Sequence, residues 1–205
     1  ICRLALEQIN GGSHILDVNV GMPGIDEATV LSKVVPALQG ITDTPLQIDT
    51  SNYEAMEQAL RLYNGKPMLN SVNGKEESLE RVLPLVKKYG AVVVALCLDD
   101  SGIPLDVAGR VAIAEKIIAK AAEYGIASHD IVVDPLALTI STGGDNAKVA
   151  CEVISAMQAR GIKTVMGVSN ISFGLPGREL INSTFFTLAL QAGLSSGIIN
   201  PQSQM

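Results

Sequence analysis

The sequence repeats one pattern along its whole length: a helical stretch, a glycine, a short apolar run and then a polar residue. The glycines that follow the helical stretches are Gly11, Gly40, Gly65, Gly90, Gly125, Gly161 and Gly193. Glycine readily adopts the left-handed conformation that ends many helices, and short apolar runs between turn residues are typical of buried strands. The pattern predicts alternating helices and strands, and therefore a parallel sheet.

The predicted strands all end at polar side chains. They cover residues 15–16, 46–48, 68–69, 91–98, 131–133, 164–168 and 197–199, and the polar residues are Asp17 and Asn19, Asp49, Asn70, Asp99, Asp134, Asn170 and Asn200. A polar residue after every strand favours a barrel, in which all the carboxyl ends meet at one mouth. An open doubly wound sheet would gather its ligand groups at one crevice. It is the alternative, although no dinucleotide-binding glycine motif follows the first strand.

The helices have sequence signals of their own. Residues 51–54 fit a capping box that begins with Ser51, and residues 76–88 and 108–124 place apolar side chains on one helical face. No linker divides the chain, so we predict one domain over residues 1–205. Because a complete barrel of this type has eight strands, we expect this one to lack its first strand, upstream of a helix at residues 1–10, and its last helix.

Composition and charge exclude several classes of function. The net charge of −6 gives no basis for binding nucleic acid or an anionic membrane. Cys2, Cys97 and Cys151 are scattered, and together with His14 and His129 they show no metal-ligand spacing. No apolar run is long enough to span a membrane and no signal peptide is recognisable. We therefore predict a cytoplasmic protein with no bound metal.

The polar strand ends could be structural or functional. Asp134, before Pro135, presents two acceptor oxygens that suit a planar ligand with adjacent N–H donors, but it could equally form a turn. Asp49 could cap the next helix, Asn70 could satisfy loop amides, and Asn170 could be a turn residue. Four carboxylate or amide groups at one predicted mouth, without a Ser-His pair or a metal set, favour a binding site.

Several strings of residues resemble the pterin-binding methyltransferase family. They are LDVNVG at 16–21, QIDTS at 47–51, LNS at 69–71, VDP at 133–135 and GVSNIS at 167–172, followed by the stretch 178–201. They keep the family's order along nearly the whole chain. The resemblance implies a (β/α)8 TIM barrel of the dihydropteroate-synthase-like type.

The resemblance also implies roles for individual residues. Asn170 and Asp49 correspond to catalytic positions, Asn170 being the side chain that contacts N5 of the pterin. The implied pterin-binding residues are Asp134, Asn70, Asp49, Asp17, Asn19 and Arg178. Among these, Asp17 and Asn19 would support the network, and Arg178 would be a basic group near the mouth.

The reaction implied by the resemblance is methyl transfer from N5 of methyltetrahydrofolate to the cobalt of a corrinoid. The corrinoid would be carried by a partner protein or a cobalamin-binding domain, and the enzyme would form a homodimer. Two alternatives stay open. A dihydropteroate-synthase-like condensing enzyme would need a lysine on the family's seventh strand, where this sequence has Val168-Ser-Asn170. A folate-binding module without catalytic activity is the other.

Overall fold

Seven parallel strands form one sheet in the computed structural model, which describes residues 1–203. They are β1 (Leu16–Asn19), β2 (Leu46–Asp49), β3 (Met68–Asn73), β4 (Val92–Leu96), β5 (Ile131–Asp134), β6 (Lys163–Gly167) and β7 (Ser196–Ile198). Each strand pairs with the next one in the sequence, so the order never reverses. The prediction of a barrel is confirmed: the seven strands form a nearly closed TIM barrel.

A helix precedes each strand. The helices are α1 (Cys2–Asn10), α2 (Glu27–Gln39), α3 (Tyr53–Leu62), α4 (Glu76–Tyr89), α5 (Val107–Glu123), α6 (Asn146–Ala159) and α7 (Arg178–Ala192). Short 3-10 helices cover Ser128–Asp130, before β5, and Val168–Ser172, after β6. Within residues 1–203 no helix is long and apolar enough to cross a membrane.

The apolar side chains form two clusters between strands and helices. The first cluster contains buried residues of β1 to β5 and of helices α1 to α6, including Leu16, Ile48, Leu69, Val93 and Val133. The second cluster contains Met166 of β6 and Val168 of the 3-10 helix after it, together with residues of α6 and α7. Side chains alternate along a strand, so the neighbours of these residues face the barrel interior. That interior face is where polar groups are found.

Two of the seven predicted helix-ending glycines do not have the expected conformation. Gly11 and Gly40 follow their helices with φ of −78° and −74°, in the negative-φ region of the Ramachandran plot, which any residue can adopt. Gly65 has a positive φ but comes three residues after the last residue of α3, which is capped at Tyr63. The other four glycines have positive φ at or just beyond a helix end, as predicted.

The predicted ends of β3 and β4 were wrong. β3 continues past Asn70 to Asn73, with an irregularity in its pairing to β4 between Asn70 and Val72. β4 ends at Leu96, whereas Asp99 lies in a turn where its Oδ1 accepts a hydrogen bond from the Ser101 N–H at 2.8 Å. Polar residues after Leu69 suggested that β3 ends too early, and apolar residues up to Leu98 suggested that β4 ends too late. Where a strand ends at such positions depends on its pairing with neighbouring strands.

Helix α3 begins one residue later than the sequence suggested. The N-cap is Asn52, not Ser51: its side chain accepts hydrogen bonds from the Glu54 and Ala55 N–H groups at 3.0 and 3.1 Å. Asn52→Ala should therefore lower the free energy of unfolding by about 1 kcal/mol. The exposed Ser51 serves as the control, because Ser51→Ala should change it by less than about 0.5 kcal/mol. Urea melts of the two variants measure both values, and equal losses would contradict the assignment.

Candidate functional site

Strands β1, β2 and β3 carry a row of polar groups facing the barrel interior. Asn19 pairs in register with Asp49, and Asp49 with Asn70. The Asn19 side-chain amide donates to Asp49 Oδ2 at 2.8 Å. Loss of water raises the pKa of Asp49, opposed by this hydrogen bond and reinforced by nearby Glu27. The row thus combines the carboxyl group of Asp49, whose pKa is raised, with the side-chain amides of Asn19 and Asn70.

Asp17 lies one layer deeper than the sequence suggested, because it is the second residue of β1 and not its end. Its Oδ1 accepts a hydrogen bond from the Gln47 side chain at 2.6 Å. Partial loss of water raises the pKa of Asp17 to about 6, although the residue as a whole is exposed on the edge strand β1. The Gln47 bond opposes this shift in pKa, and the charge of Asp49 adds to it. The hydrogen bond of Asp17 is thus to Gln47, one layer below the row, and its role in supporting the row stays a prediction.

Asp134 is the last residue of β5 and is 8% exposed. Its Oδ1 accepts a hydrogen bond from the Leu136 N–H at 2.8 Å, so the turn predicted as an alternative is present. Oδ2 accepts no hydrogen bond from the described residues. Burial raises the pKa of Asp134 to about 7, against the opposing effects of the Leu136 N–H and of the Arg110 charge. Oδ1 thus holds the turn and keeps a second lone pair, and Oδ2 is available as well, so that both oxygens can accept a hydrogen bond from a ligand.

A buried arginine lies behind Asp134 and was not predicted from the sequence. Arg110 is 0% exposed, and its guanidinium donates to three backbone carbonyls, those of Pro104, Pro135 and Leu136. The sequence does contain a pattern that indicates its burial. Arg110 shares its helical face with Ala114, Ile117 and Ala121 of α5, all of which are buried. An arginine on an apolar face indicates a buried cation that needs partners.

Asn170 lies in the 3-10 helix that follows β6 and is exposed. Its side-chain amide makes no hydrogen bond to the described residues. A Cβ atom placed on Gly167, the last residue of β6, would lie 3.1 Å from Asn170 Nδ2. This is tighter than ordinary van der Waals contact, so glycine at position 167 provides room for the amide.

Arg178, the first residue of α7, fixes the segment that carries Asn170. Its Nε donates to Ser172 Oγ at 3.0 Å, and its Nη2 donates to the Ser169 carbonyl at 2.9 Å. Both acceptors belong to the 3-10 helix. The predicted basic group near the mouth is thus committed to the loop after β6, although it remains exposed.

The predicted site residues lie toward one end of the barrel. Asn19, Asp49 and Asp134 end their strands, Asn70 is level with Asp49, and Asn170 follows β6. Because all the strands run parallel, these positions belong to the same rim. Of the predicted set, Asn19 and Asp49 are in direct contact. In residues 1–203 no three His, Cys, Asp or Glu side chains form a group that could hold a metal ion.

Comparison with known protein families matches residues 1–200 to a family described as pterin binding enzyme. The chain belongs to the pterin-binding enzyme family. The resemblance to its methyltransferase members is also confirmed by the relatives. A methylcorrinoid:tetrahydrofolate methyltransferase from Eubacterium limosum is 30% identical over 205 residues, covering 98% of this chain and 75% of that protein.

A second relative belongs to a much longer protein. A methionine synthase from Mycobacterium leprae (strain TN) is 31% identical over 211 residues, which cover 96% of this chain. The chain spans only 18% of the length of that enzyme. The matched region is therefore one part of a larger polypeptide in this relative.

Solved structures of dihydropteroate synthases show the same fold. Dihydropteroate synthase from Thermus thermophilus, in complex with 6HMPPP, superposes with a TM-score of 0.75 at 23% identity, covering 96% of this chain and 80% of that chain. Dihydropteroate synthase from Coxiella burnetii, in complex with pteroic acid, gives 0.76 at 18% identity, covering 95% and 77%. At these identities the likeness establishes the barrel alone.

Proposed function

We propose that the barrel mouth binds the pterin of methyltetrahydrofolate and that the chain transfers a methyl group between N5 of the folate and the cobalt of a corrinoid. The observation that carries the proposal is the side-chain amide of Asn170 beyond β6, which makes no hydrogen bond within residues 1–203, in a chain 30% identical to a methylcorrinoid:tetrahydrofolate methyltransferase. The corrinoid would be presented by a partner protein or by a cobalamin-binding domain. Association into a homodimer stays a prediction.

Asp134 is the anchor of the ring in this proposal. A pterin offers an N3–H and a 2-amino group side by side, and an ionised carboxylate can accept from both. Burial removes competing water, so the two bonds would be stronger than at an exposed position. Asn70 and Asp49, level with each other on β3 and β2, would contact further polar atoms of the ring. The ring would then be fixed in position and orientation.

Asn170 would act on the reacting nitrogen. The amine at N5 is a poor leaving group, so cleavage of the carbon–nitrogen bond requires a hydrogen bond or a proton at N5. The uncommitted amide of Asn170 can donate to N5 as the electron pair of the broken bond stays there. The reduced corrinoid supplies the nucleophile that accepts the methyl group. Asn170 is thus proposed to favour the transition state over the bound substrate.

The condensing reaction of dihydropteroate synthase is less well supported. The only lysine of β6 is Lys163, its first residue, which lies at the end of the strand opposite to Asn170. The segment after β6 contains a serine and an asparagine in place of a lysine. The two sequence relatives described above are named as a methyltransferase and a methionine synthase, not as synthases of dihydropteroate.

The proposed function is tested by measuring binding and turnover separately. Isothermal titration with methyltetrahydrofolate should give saturable binding, and addition of reduced cobalamin should then consume the methyl donor. Binding without turnover would support the alternative of a non-catalytic folate-binding module. Absence of binding would contradict the proposal.

The affinity for the pterin should depend on pH through Asp134. Its raised pKa of about 7 means that the carboxylate needed to accept the two N–H bonds is fully formed only above neutral pH. Affinity should therefore be constant above about pH 8 and fall by up to tenfold for each pH unit below about 7. Isothermal titration between pH 5.5 and 8.5 checks this, with buffers of matched ionic strength.

Asp134→Asn is the control for the pH dependence. Asparagine cannot ionise, so the remaining dependence in this variant would come from other groups such as Asp17 and Asp49, whose pKa values are also raised. A steep dependence that survives unchanged in Asp134→Asn would show that another group is responsible.

A further inference from the structure

We infer that Arg110 is a positioning residue for the pterin-binding carboxylate: it fixes the loop that holds Asp134 and supplies the positive charge behind it. The identity of the ligand rests on the function proposed above. The structural basis is independent of the ligand, because it consists of contacts within the chain.

Three hydrogen bonds hold the guanidinium of Arg110. Nη1 donates to the carbonyls of Pro135 and Leu136 at 2.8 and 2.7 Å, and Nε donates to the carbonyl of Pro104 at 2.8 Å. Two of the three acceptors belong to the loop that directly follows Asp134. Arg110 thus ties this loop to the start of α5.

These bonds hold an unusual backbone conformation. Leu136 has φ of +62°, which is rare for a residue other than glycine and is disfavoured by its side chain. The same residue donates its N–H to Asp134 Oδ1. Arg110 therefore donates a hydrogen bond to the carbonyl of Leu136, and the N–H of the same residue orients the Asp134 carboxylate. A strained backbone persists only where its surroundings determine it.

The charge of Arg110 is not neutralised by a direct ion pair within residues 1–203. Arg110 is fully buried, its acceptors are all neutral carbonyls, and its Nη2 has no hydrogen-bond partner among the described residues. A buried cation without an ion pair is unfavourable. The charged or titratable groups that face it are Cys97 after β4, Asp134 at the end of β5 and Asp106 at the N-cap of α5. The Arg110 charge favours the ionised form of Asp134.

Two substitutions of Arg110 should have distinct effects. Arg110→Gln removes the charge and should move the titration midpoint of Asp134 upward by about one pH unit, as expected for loss of a nearby opposite charge. Arg110→Lys keeps the charge but cannot reach three carbonyls, so the midpoint should stay close to that of the wild type. Both variants should bind methyltetrahydrofolate more weakly at pH 8.5, because both loosen the loop.

The midpoint is measured in the ligand-free protein from the carbon-13 shift of the Asp134 carboxyl group, assigned with Asp134→Asn. Lys116 provides a matched control on the same helix. It donates to the carbonyl of Gly74 at 2.7 Å, after β3, and pairs with Glu76. Lys116→Gln should leave both the Asp134 midpoint and the pH profile of binding unchanged.

The two hypotheses can fail separately. If the wild type does not bind methyltetrahydrofolate, the proposed function is wrong, but the carboxyl titration still tests the link between Arg110 and Asp134. An unchanged Asp134 midpoint in Arg110→Gln would overturn the inference. Should that variant not fold, the outcome depends on Arg110→Lys: wild-type affinity and kcat/KM in a folded Arg110→Lys protein would also overturn it.

Discussion

Asn170→Ala should slow methyl transfer by about 10²–10³-fold, or roughly 3–4 kcal/mol in activation free energy, while weakening the binding of methyltetrahydrofolate by only about 0.5–1.5 kcal/mol. The difference arises because the amide makes no hydrogen bond to the described residues and would make its strongest bond as charge develops on N5. Single-turnover kinetics with reduced cobalamin read the chemical step, and isothermal titration reads the affinity.

Two further variants separate a role for Asn170 in transfer from a role in the loop. Ser169→Ala changes the exposed neighbour while leaving its backbone carbonyl available to Arg178, so rate and affinity should both be preserved. Gly167→Ala places a Cβ against the Asn170 amide and should reduce the rate without removing the amide. Equal losses of rate and affinity in Asn170→Ala would make Asn170 a ring anchor, and no loss of either would make it a turn residue.

Asp134→Ala should weaken binding of methyltetrahydrofolate by about 2–4 kcal/mol at pH 8.5. The variant removes a charge-assisted acceptor from a site with little access to water and leaves two N–H donors of the ring without partners. Isothermal titration measures the loss directly. An unchanged dissociation constant would remove Asp134 from the binding site.

Asp99 is a suitable control for Asp134. Asp134 is the last residue of β5 and Asp99 comes soon after β4, and each accepts a hydrogen bond from a backbone N–H two residues later, at 2.8 Å. Asp99→Ala therefore removes the same local bond, yet the affinity of this variant for methyltetrahydrofolate should match that of the wild type.

Asp134→Asn gives a check on folding. Because the pKa of Asp134 is raised, ionisation of its carboxyl group makes the folded protein less stable as pH rises toward 7. Asparagine does not ionise, so this variant should melt no lower than the wild type at pH 8.5.

The sequence was sufficient for the architecture because the pattern of apolar runs and glycines repeats with every strand. Residues such as Leu46, Ile48, Val93 and Val133 are buried as their alternation or run predicted. The first and last residues of individual helices and strands were harder to predict. Asn52 and Ser51 are equally good N-caps by composition, and the choice between them depends on the backbone angle at which the chain enters α3.

The candidate site was predictable where a residue ends a strand, and less so elsewhere. Asn19, Asp49 and Asp134 follow from strand ends that the sequence located to within one residue for β2 and β5 and three residues for β1. Arg110 could not be linked to Asp134 in this way, since its partners are backbone carbonyls of distant loops and carry no sequence signal. Arg178 was predicted as a ligand-side cation, but its two hydrogen bonds are to the segment that carries Asn170.

The division of the apolar core into two clusters affects how the site responds to thermal fluctuations. Asp49, Asn70 and Asp134 lie on strands whose buried side chains pack in the first cluster. The 3-10 helix that carries Asn170 packs instead in the smaller second cluster, through Val168 and Ile171. Local opening follows such packing units, and small units open at lower free energy. A fluctuation confined to the second cluster would displace the group assigned to N5 and leave the ring anchors in place. Catalytic competence could then be lost on warming at temperatures where the affinity for the folate is still intact.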